Sequence, residues 1–141
     1  MRGQSLIELL IALGIFVVLV SAVAFLLINS YLSNLQASQN SKAIFLAEEG
    51  MEAVRSIRDN DWEDLEPGSH GLTISENHWI FQGDSEDISD KLPQGKRVIT
   101  IGDIDEDRKK IISKITWELS PARPQEVSLV TYLTNWQKHS D

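Results

Sequence analysis

The longest hydrophobic stretch of the chain lies close to its N-terminus, from Leu9 to Ile28. Its twenty residues are interrupted only by Gly14 and Ser21. A helix of that length rises about 30 Å, which matches the hydrocarbon thickness of a bilayer. A core helix of a soluble protein rarely carries apolar residues around its whole circumference over such a length. The pattern therefore predicts a helix that is inserted in a membrane.

The helical pattern continues beyond this segment. Residues 29–41 are polar but uncharged, and apolar residues then recur at helical spacing. The resulting stripe consists of Leu46, Gly50, Ala53, Val54 and Ile57. Arg58 suits the C-terminal end of a helix dipole, and the tract 59–61 is typical of a helix end. We predict one helix from about Gln4 to Arg58, roughly 80 Å long, whose second half packs on a small domain.

After residue 61 the hydrophobic period changes from helical to alternating. The alternation predicts strands at Leu72–Ile74, His78–Phe81, Lys96–Ile101, Lys110–Leu119 and Val127–Thr134. Clusters of proline, or of proline and glycine, at 67–68, 93–95 and 121–124 predict the turns between them. We predict that these strands pair to form an antiparallel sheet.

The fourth predicted strand shows which face of the sheet is buried. Ile111, Ile115 and Trp117 share one face with Ser113, while polar residues occupy the other, as in a half-buried antiparallel strand. About 80 residues of sheet cannot bury a large core alone, so the stripe on the helix is expected to supply the other side. The predicted fold class is α+β.

The charged residues are distributed very unevenly. No charged residue occurs from Leu9 to Ser41, and the net charge of -8 arises in the part from Lys42 to Asp141. An acidic chain is a poor partner for nucleic acid, because phosphate binding needs clustered lysine and arginine. The chain contains no cysteine, which excludes disulfides, thiolate nucleophiles and cysteine-bound zinc.

The three histidines, His70, His78 and His139, belong to no metal-ligand motif. The tract Gly68-Ser69-His70-Gly71 has the composition of a nucleophile loop, but its glycines are explained more simply by a turn. No glycine-rich phosphate loop is present in the sequence. We therefore expect no cofactor, and we expect that the protein is not an enzyme.

Asp103, Asp105 and Asp107 alternate as in a calcium-binding loop. The sixth position of such a loop is normally glycine and the twelfth is glutamate, whereas this chain has Arg108 and Lys114 there. The three aspartates are thus weak metal candidates. A solvated connection between two strands is the favoured interpretation.

Glu8 precedes the apolar segment directly, where a carboxylate is costly unless it serves a purpose. The run Gly3–Leu10, followed at once by the apolar segment, resembles the prepilin processing motif of type IV pilins and type II secretion pseudopilins. In that family a membrane peptidase cuts after the glycine and methylates the new N-terminal amine. The resemblance therefore implies cleavage between Gly3 and Gln4 and methylation of Gln4. Gln4 and Ser5 depart from the family, which prefers an aromatic residue or methionine followed by threonine.

The resemblance also implies an organisation and partners. It divides the chain into a leader 1–3, a membrane and filament-core helix 4–28, its continuation onto the globular domain 29–61, and a β-sheet domain 62–141. The implied partners are a prepilin peptidase, an assembly platform in the membrane, and other pilin subunits through the N-terminal helix. When such helices bundle, Glu8 of one chain could pair with the buried amine of Gln4 in the next. The N-terminus would be cytoplasmic and the sheet domain outside the plasma membrane, and later in a pilus or periplasmic filament.

Several alternatives stay open at this stage. The tract Ala47–Trp62 is similar to minor pilin-like proteins, but a major pilin or a secretion pseudopilin fits the N-terminal motif equally well. A signal peptide could be cleaved after Ala22-Val23-Ala24, although the apolar run continues to Ile28 and Glu8 is unusual there. A single-pass membrane protein with an external binding or enzymatic domain is the alternative outside the pilin class.

Overall fold

The computed structural model describes residues 5–120 and 123–136. Within these ranges the chain forms one helix, α1 (Leu6–Asn60), followed by seven strands. The strands are β1 (Gly68–His70), β2 (Leu72–Ser75), β3 (His78–Phe81), β4 (Glu86–Asp87), β5 (Lys96–Asp105), β6 (Arg108–Ser120) and β7 (Arg123–Thr134). The predicted α+β class, a long N-terminal helix followed by an antiparallel sheet, is confirmed.

The helix α1 begins and ends within two residues of the predicted bounds. Ser5 precedes it, and the Ser5 carbonyl accepts hydrogen bonds from the amides of Glu8 at 2.9 Å and Leu9 at 3.3 Å. Glu8 lies in the first turn and Arg58 in the last, so both charges oppose the partial charge of the adjacent helix end. By its internal contacts the chain divides into two compact units, with the boundary between Ser38 and Gln39.

The main sheet has five strands in the order β1-β5-β6-β7, with β4 also paired to β5. Every pairing is antiparallel, and β2 and β3 form a separate hairpin. The two-residue turn of that hairpin has positive φ at both Glu76 and Asn77, 49° and 67°, as a type I′ turn requires. The five predicted strands are all present.

Four details of the sheet differ from the prediction. Residues 68–70 form β1 rather than a turn, and β4 was not predicted, because each is a short strand that exists only through pairing with β5. Asp103 and Asp105 lie within β5 rather than in a connection. β7 begins at Arg123, inside the predicted turn; the proline after it is tolerated because proline can occupy the start of an edge strand.

The core lies between the second part of α1 and the main sheet. The predicted stripe of Leu46, Gly50, Ala53, Val54 and Ile57 is buried at every position. On the facing strand β6, the alternate residues 111, 113, 115 and 117 are buried, as the alternating pattern predicts. The stripe therefore does supply the other side of the core.

Candidate functional site

The N-terminal part of α1 carries the residues that the sequence singled out for processing and assembly. Gly3 and Gln4, the predicted cleavage and methylation positions, lie outside the described residues. Glu8 lies in the first turn of α1 and is exposed. Ser5 and Glu8 have the spacing of a capping box, in which a serine and a glutamate satisfy the free amides of the first turn. This spacing was not recognised in the sequence, although the two residues alone indicate it.

The surface that follows Glu8 is apolar on every side. All residues from Leu9 to Ile28 are exposed within the described chain, including large side chains such as Phe16 at 62% and Phe25 at 68%. By length and composition α1 can cross a membrane, and because it lies near the N-terminus a signal sequence would meet the same criterion. This surface therefore needs a covering of lipid or of other apolar helices to leave water.

Two polar residues in and next to this segment each donate one hydrogen bond inside the helix. The Ser21 hydroxyl donates to the Val17 carbonyl at 2.8 Å, and the Asn29 amide donates to the Phe25 carbonyl at 2.9 Å. Such bonds one turn back make a polar side chain compatible with an apolar environment. A side chain added at Gly14 would meet no atom within 4 Å, so this glycine leaves a gap on the outer surface of the helix.

A buried arginine joins α1 to the sheet further along the chain. Arg97 of β5 is only 1% exposed. Its Nη1 donates at 2.9 Å to both the Leu46 carbonyl and the Glu49 carboxylate of α1, and its Nε donates at 2.7 Å to Glu86 of β4. The guanidinium also lies 5.8 Å from the ring centroid of Trp79, within cation–π range.

The burial of Arg97 was not predicted from the sequence, although the alternating pattern of β5 indicates it. Arg97 has the same parity as Ile99 and Ile101 in β5, so the alternating pattern places it on the buried face. A buried arginine with two carboxylate partners on different elements fixes the position of the helix against the sheet, because leaving either charge unpaired is costly. Its role is structural, in the unit that contains the sheet.

The acidic tract at the β5–β6 hairpin was the weak metal candidate. Asp105 accepts a hydrogen bond from Nε of Arg108 at 2.7 Å and another from the backbone amide of Asp107 at 3.1 Å. The hydrogen bond from Arg108 is the main reason why the pKa of Asp105 lies below its ordinary value. Asp103 lies 3.4 Å from Nζ of Lys109. Within the described ranges, no three acidic or histidine side chains are grouped so that they could hold a metal ion.

The two described histidines contact backbone carbonyls rather than one another. Nε2 of His70 lies 2.8 Å from the Glu66 carbonyl, and Nδ1 of His78 lies 2.9 Å from the Glu76 carbonyl. Ser69 and His70 are consecutive residues of β1, so their side chains point to opposite faces of the sheet. Ser69 and His70 therefore do not form a nucleophile with an adjacent general base. His139 lies outside the described residues.

The chain was compared with known protein families, proteins and structures. No protein-family model, curated protein or solved structure matches the chain.

Proposed function

We propose that the chain is a structural subunit of a type IV pilus-like filament, either a minor pilin or a secretion pseudopilin. One observation carries this proposal: a carboxylate, Glu8, stands in the first turn of a 55-residue helix whose next twenty residues are all exposed and, except for Gly14 and Ser21, apolar. In a simple membrane anchor this carboxylate would only stabilise the first turn of the helix. A subunit that buries an amine during assembly does gain from it, because the carboxylate compensates the buried positive charge.

The proposed sequence of events begins in the plasma membrane. The chain is inserted with its N-terminus in the cytoplasm, and a prepilin peptidase removes residues 1–3 and methylates Gln4. At the assembly platform the apolar helix then leaves lipid and packs among the helices of other subunits. The amine of Gln4 in the incoming subunit pairs with Glu8 of a subunit already in place.

The surface of α1 supports this transfer from lipid to protein. The hydroxyl of Ser21 and the amide of Asn29 each donate one hydrogen bond within the helix, which lowers the cost of removing them from water. The gap at Gly14 allows another helix to approach closely, as small residues do at helix interfaces in membranes. The same surface is therefore suited to both environments.

The competing interpretation is a cleaved signal sequence. A cut after Ala24 would fall in the middle of α1, which continues without interruption to Asn60. It would also leave Phe25 to Ile28, all exposed and apolar, at the new N-terminus. Such an end is unsuited to a secreted soluble protein, so we favour cleavage after Gly3.

The processing step is tested by intact-mass spectrometry of the chain co-expressed with a prepilin peptidase. The mature protein is expected to lack Met1–Gly3 and to carry one methyl group on Gln4. Gly3→Ala is expected to leave a membrane-bound protein of full length. A mature protein that begins at Phe25 would establish the signal-sequence interpretation instead.

The assembly step is tested with Glu8→Ala in cells that assemble the filament. Loss of one member of a buried ion pair costs about 3–5 kcal/mol, which corresponds to more than a hundredfold less incorporation at equilibrium. Glu8→Gln is expected to be intermediate, because the amide oxygen still accepts a hydrogen bond. Ser5→Ala is the control for a purely local capping role: it removes the cap oxygen but keeps the carboxylate, and incorporation should persist. The proposal fails if Glu8→Ala reaches wild-type levels in sheared filaments.

A further inference from the structure

Phe45 is more exposed than Tyr132 and Trp136, which are also exposed aromatic side chains of the unit 39–141. Phe45 is 70% exposed, although its neighbours Leu46 and Ala47 are 8% and 0% exposed. It lies on the helix face opposite the buried stripe, near the exposed side chains of Lys42, Ile44 and Glu48. A single exposed aromatic residue is not unusual by itself, so its surroundings decide whether it marks a contact.

Shallow depressions lie on both sides of Phe45. The first, of about 310 Å³, is lined by Lys42, Phe45, Leu46 and Lys91. The second, of about 590 Å³, lies between α1 and β7 and includes Phe45 and Leu129. A cavity of roughly 150 Å³ holds a benzene ring, so either depression has room for an aromatic side chain from another molecule.

Two charges that flank Phe45 make no ion pair within the described chain. Glu49 pairs with Arg97 and Lys91, and Glu52 pairs with Arg55. By contrast, among the described residues no carboxylate pairs with Lys42 and no basic group pairs with Glu48.

These two charges cannot neutralise each other within one chain. Lys42 and Glu48 are six residues apart, so on a helix they are about 9 Å apart along the axis and about 120° apart around it. Ion pairs on one helix form between residues three or four apart. The surface thus presents a positive charge on one side of Phe45 and a negative charge on the other, and is complementary to a shifted copy of itself.

We propose that this surface is a head-to-tail contact between copies of the chain, in which Lys42 of one copy pairs with Glu48 of the next. The ring of Phe45 then fills a depression on the neighbouring copy and excludes water from the ion pair. Because the two sides of the contact differ, it is heterologous, and such a contact generates an open filament when successive copies do not close into a ring. The inference rests on the proposed filament function and names a second contact besides Glu8.

Charge exchange provides the test, with the full-length chain in cells that assemble the filament. Lys42→Glu and Glu48→Lys are each expected to lower the subunit content of sheared filaments by about fivefold, because like charges then face each other across the contact. The double variant Lys42→Glu/Glu48→Lys restores the opposite charges and is expected to recover incorporation. Lys110→Glu, which makes the same charge change on β6, is the matched control and should have no effect.

Cross-linking tests the same contact without relying on yield. The chain has no cysteine, so cells that express Lys42→Cys and Glu48→Cys chains together can be treated with a short bis-maleimide. Cross-linked dimers are expected in filaments that contain both variants and not in filaments that contain either one alone. Phe45→Ala is expected to lower filament content, with tryptophan fluorescence unchanged because the side chain is exposed.

The outcomes separate this inference from the proposed function. If Glu8→Ala is depleted from filaments while the double charge exchange behaves no better than either single variant, the contact at Phe45 is refuted and the filament function stands. If the wild-type chain itself never enters filaments, the proposed function is overturned and the contact falls with it.

Discussion

Gly50 illustrates how closely α1 approaches the sheet at a single residue. A Cβ atom at this position would lie 2.7 Å from the Ser113 hydroxyl and 3.2 Å from side-chain carbons of Arg97 and Ile99. The Ser113 hydroxyl is buried, and it has no hydrogen-bond partner in the described part of the chain. Gly50 therefore leaves the space that Ser113 occupies. The buried Ser113 hydroxyl forms no hydrogen bond there that would offset the cost of its desolvation.

Substitutions at this contact are expected to be coupled. Gly50→Ala gains roughly 0.8–1.0 kcal/mol of helix propensity, but overpacking typically costs about 1–3 kcal/mol, so the variant should be destabilised by about 1 kcal/mol. In a Ser113→Ala background the closest clash is absent, and Gly50→Ala should be neutral or stabilising. Thermal unfolding of the full chain in detergent, followed by the fluorescence of buried Trp62 and Trp117, measures this cycle. Strict additivity of the two substitutions would contradict the explanation.

Among the strands, the β5–β6 hairpin is fixed by its charged residues. Its register shifts between Asp103 and Asp105, and Asp105 binds Arg108 across the turn. The sequence predicted strands on both sides of this hairpin but placed the aspartates in a connection, because acidic residues are rare inside strands. Pairing with β6 overrides that preference here.

The hairpin should contribute stability that depends on pH. The pKa of Asp105 is lowered, mainly by the hydrogen bond from Arg108, so its contribution is complete above the unfolded pKa of about 3.9 and is lost as the pH falls through the lower folded value. This contribution to the unfolding midpoint should therefore be constant from about pH 7 to pH 5 and should fall below about pH 4, together with those of Asp59 and Asp87, whose pKa values are also lowered.

The Asp105→Asn variant identifies the group responsible. Its unfolding midpoint is expected to fall less steeply between about pH 4 and pH 2 than that of the wild type, because one titrating contribution is absent. Asp90→Asn is the matched control, since no hydrogen bond or ion pair of the Asp90 carboxylate is found within the described ranges. Equal slopes for Asp105→Asn and wild type would show that the hairpin pair adds nothing.

For the molecule as a whole, the core of the sheet depends on a helix that also carries the membrane segment. The compact unit that contains the sheet begins at Gln39, and eight residues of α1 between Ala43 and Ile57 are buried. Residues 5–38 are all exposed and contribute nothing to that core. The part of α1 that could span a membrane and the part that folds with the sheet are thus different parts of one helix.

Two truncations test this division. A fragment from Ser30 onward is expected to be soluble and to unfold cooperatively, because it retains all of the buried stripe. A fragment that begins at Asn60 lacks the stripe, so it should show no cooperative transition by circular dichroism and should aggregate through the bared face of the sheet. Cooperative unfolding of the shorter fragment would mean that the sheet has a self-sufficient core.

The sequence by itself determined the features that depend on local periodicity. The apolar segment Leu9–Ile28, the buried stripe of α1 and the alternation in β6 follow from how side chains are distributed around a helix or across a strand. Both ends of α1 were predicted within two residues, and the C-terminal end followed from the local signals at Arg58 and 59–61. The pilin-like function, and the roles of Gly3, Gln4 and Glu8, stay predictions.

Only the tertiary structure decided the features that join distant parts of the chain. β1 and β4 exist because β5 offers them a pairing edge, and no pattern within two or three residues encodes such a partner. Arg97 finds Glu49 in a helix 48 residues away, and Lys42 and Glu48 stand out only because their neighbours are already paired. Register and long-range contact are properties of the packed chain, since a local period fixes which face a residue occupies but not which residue it meets there.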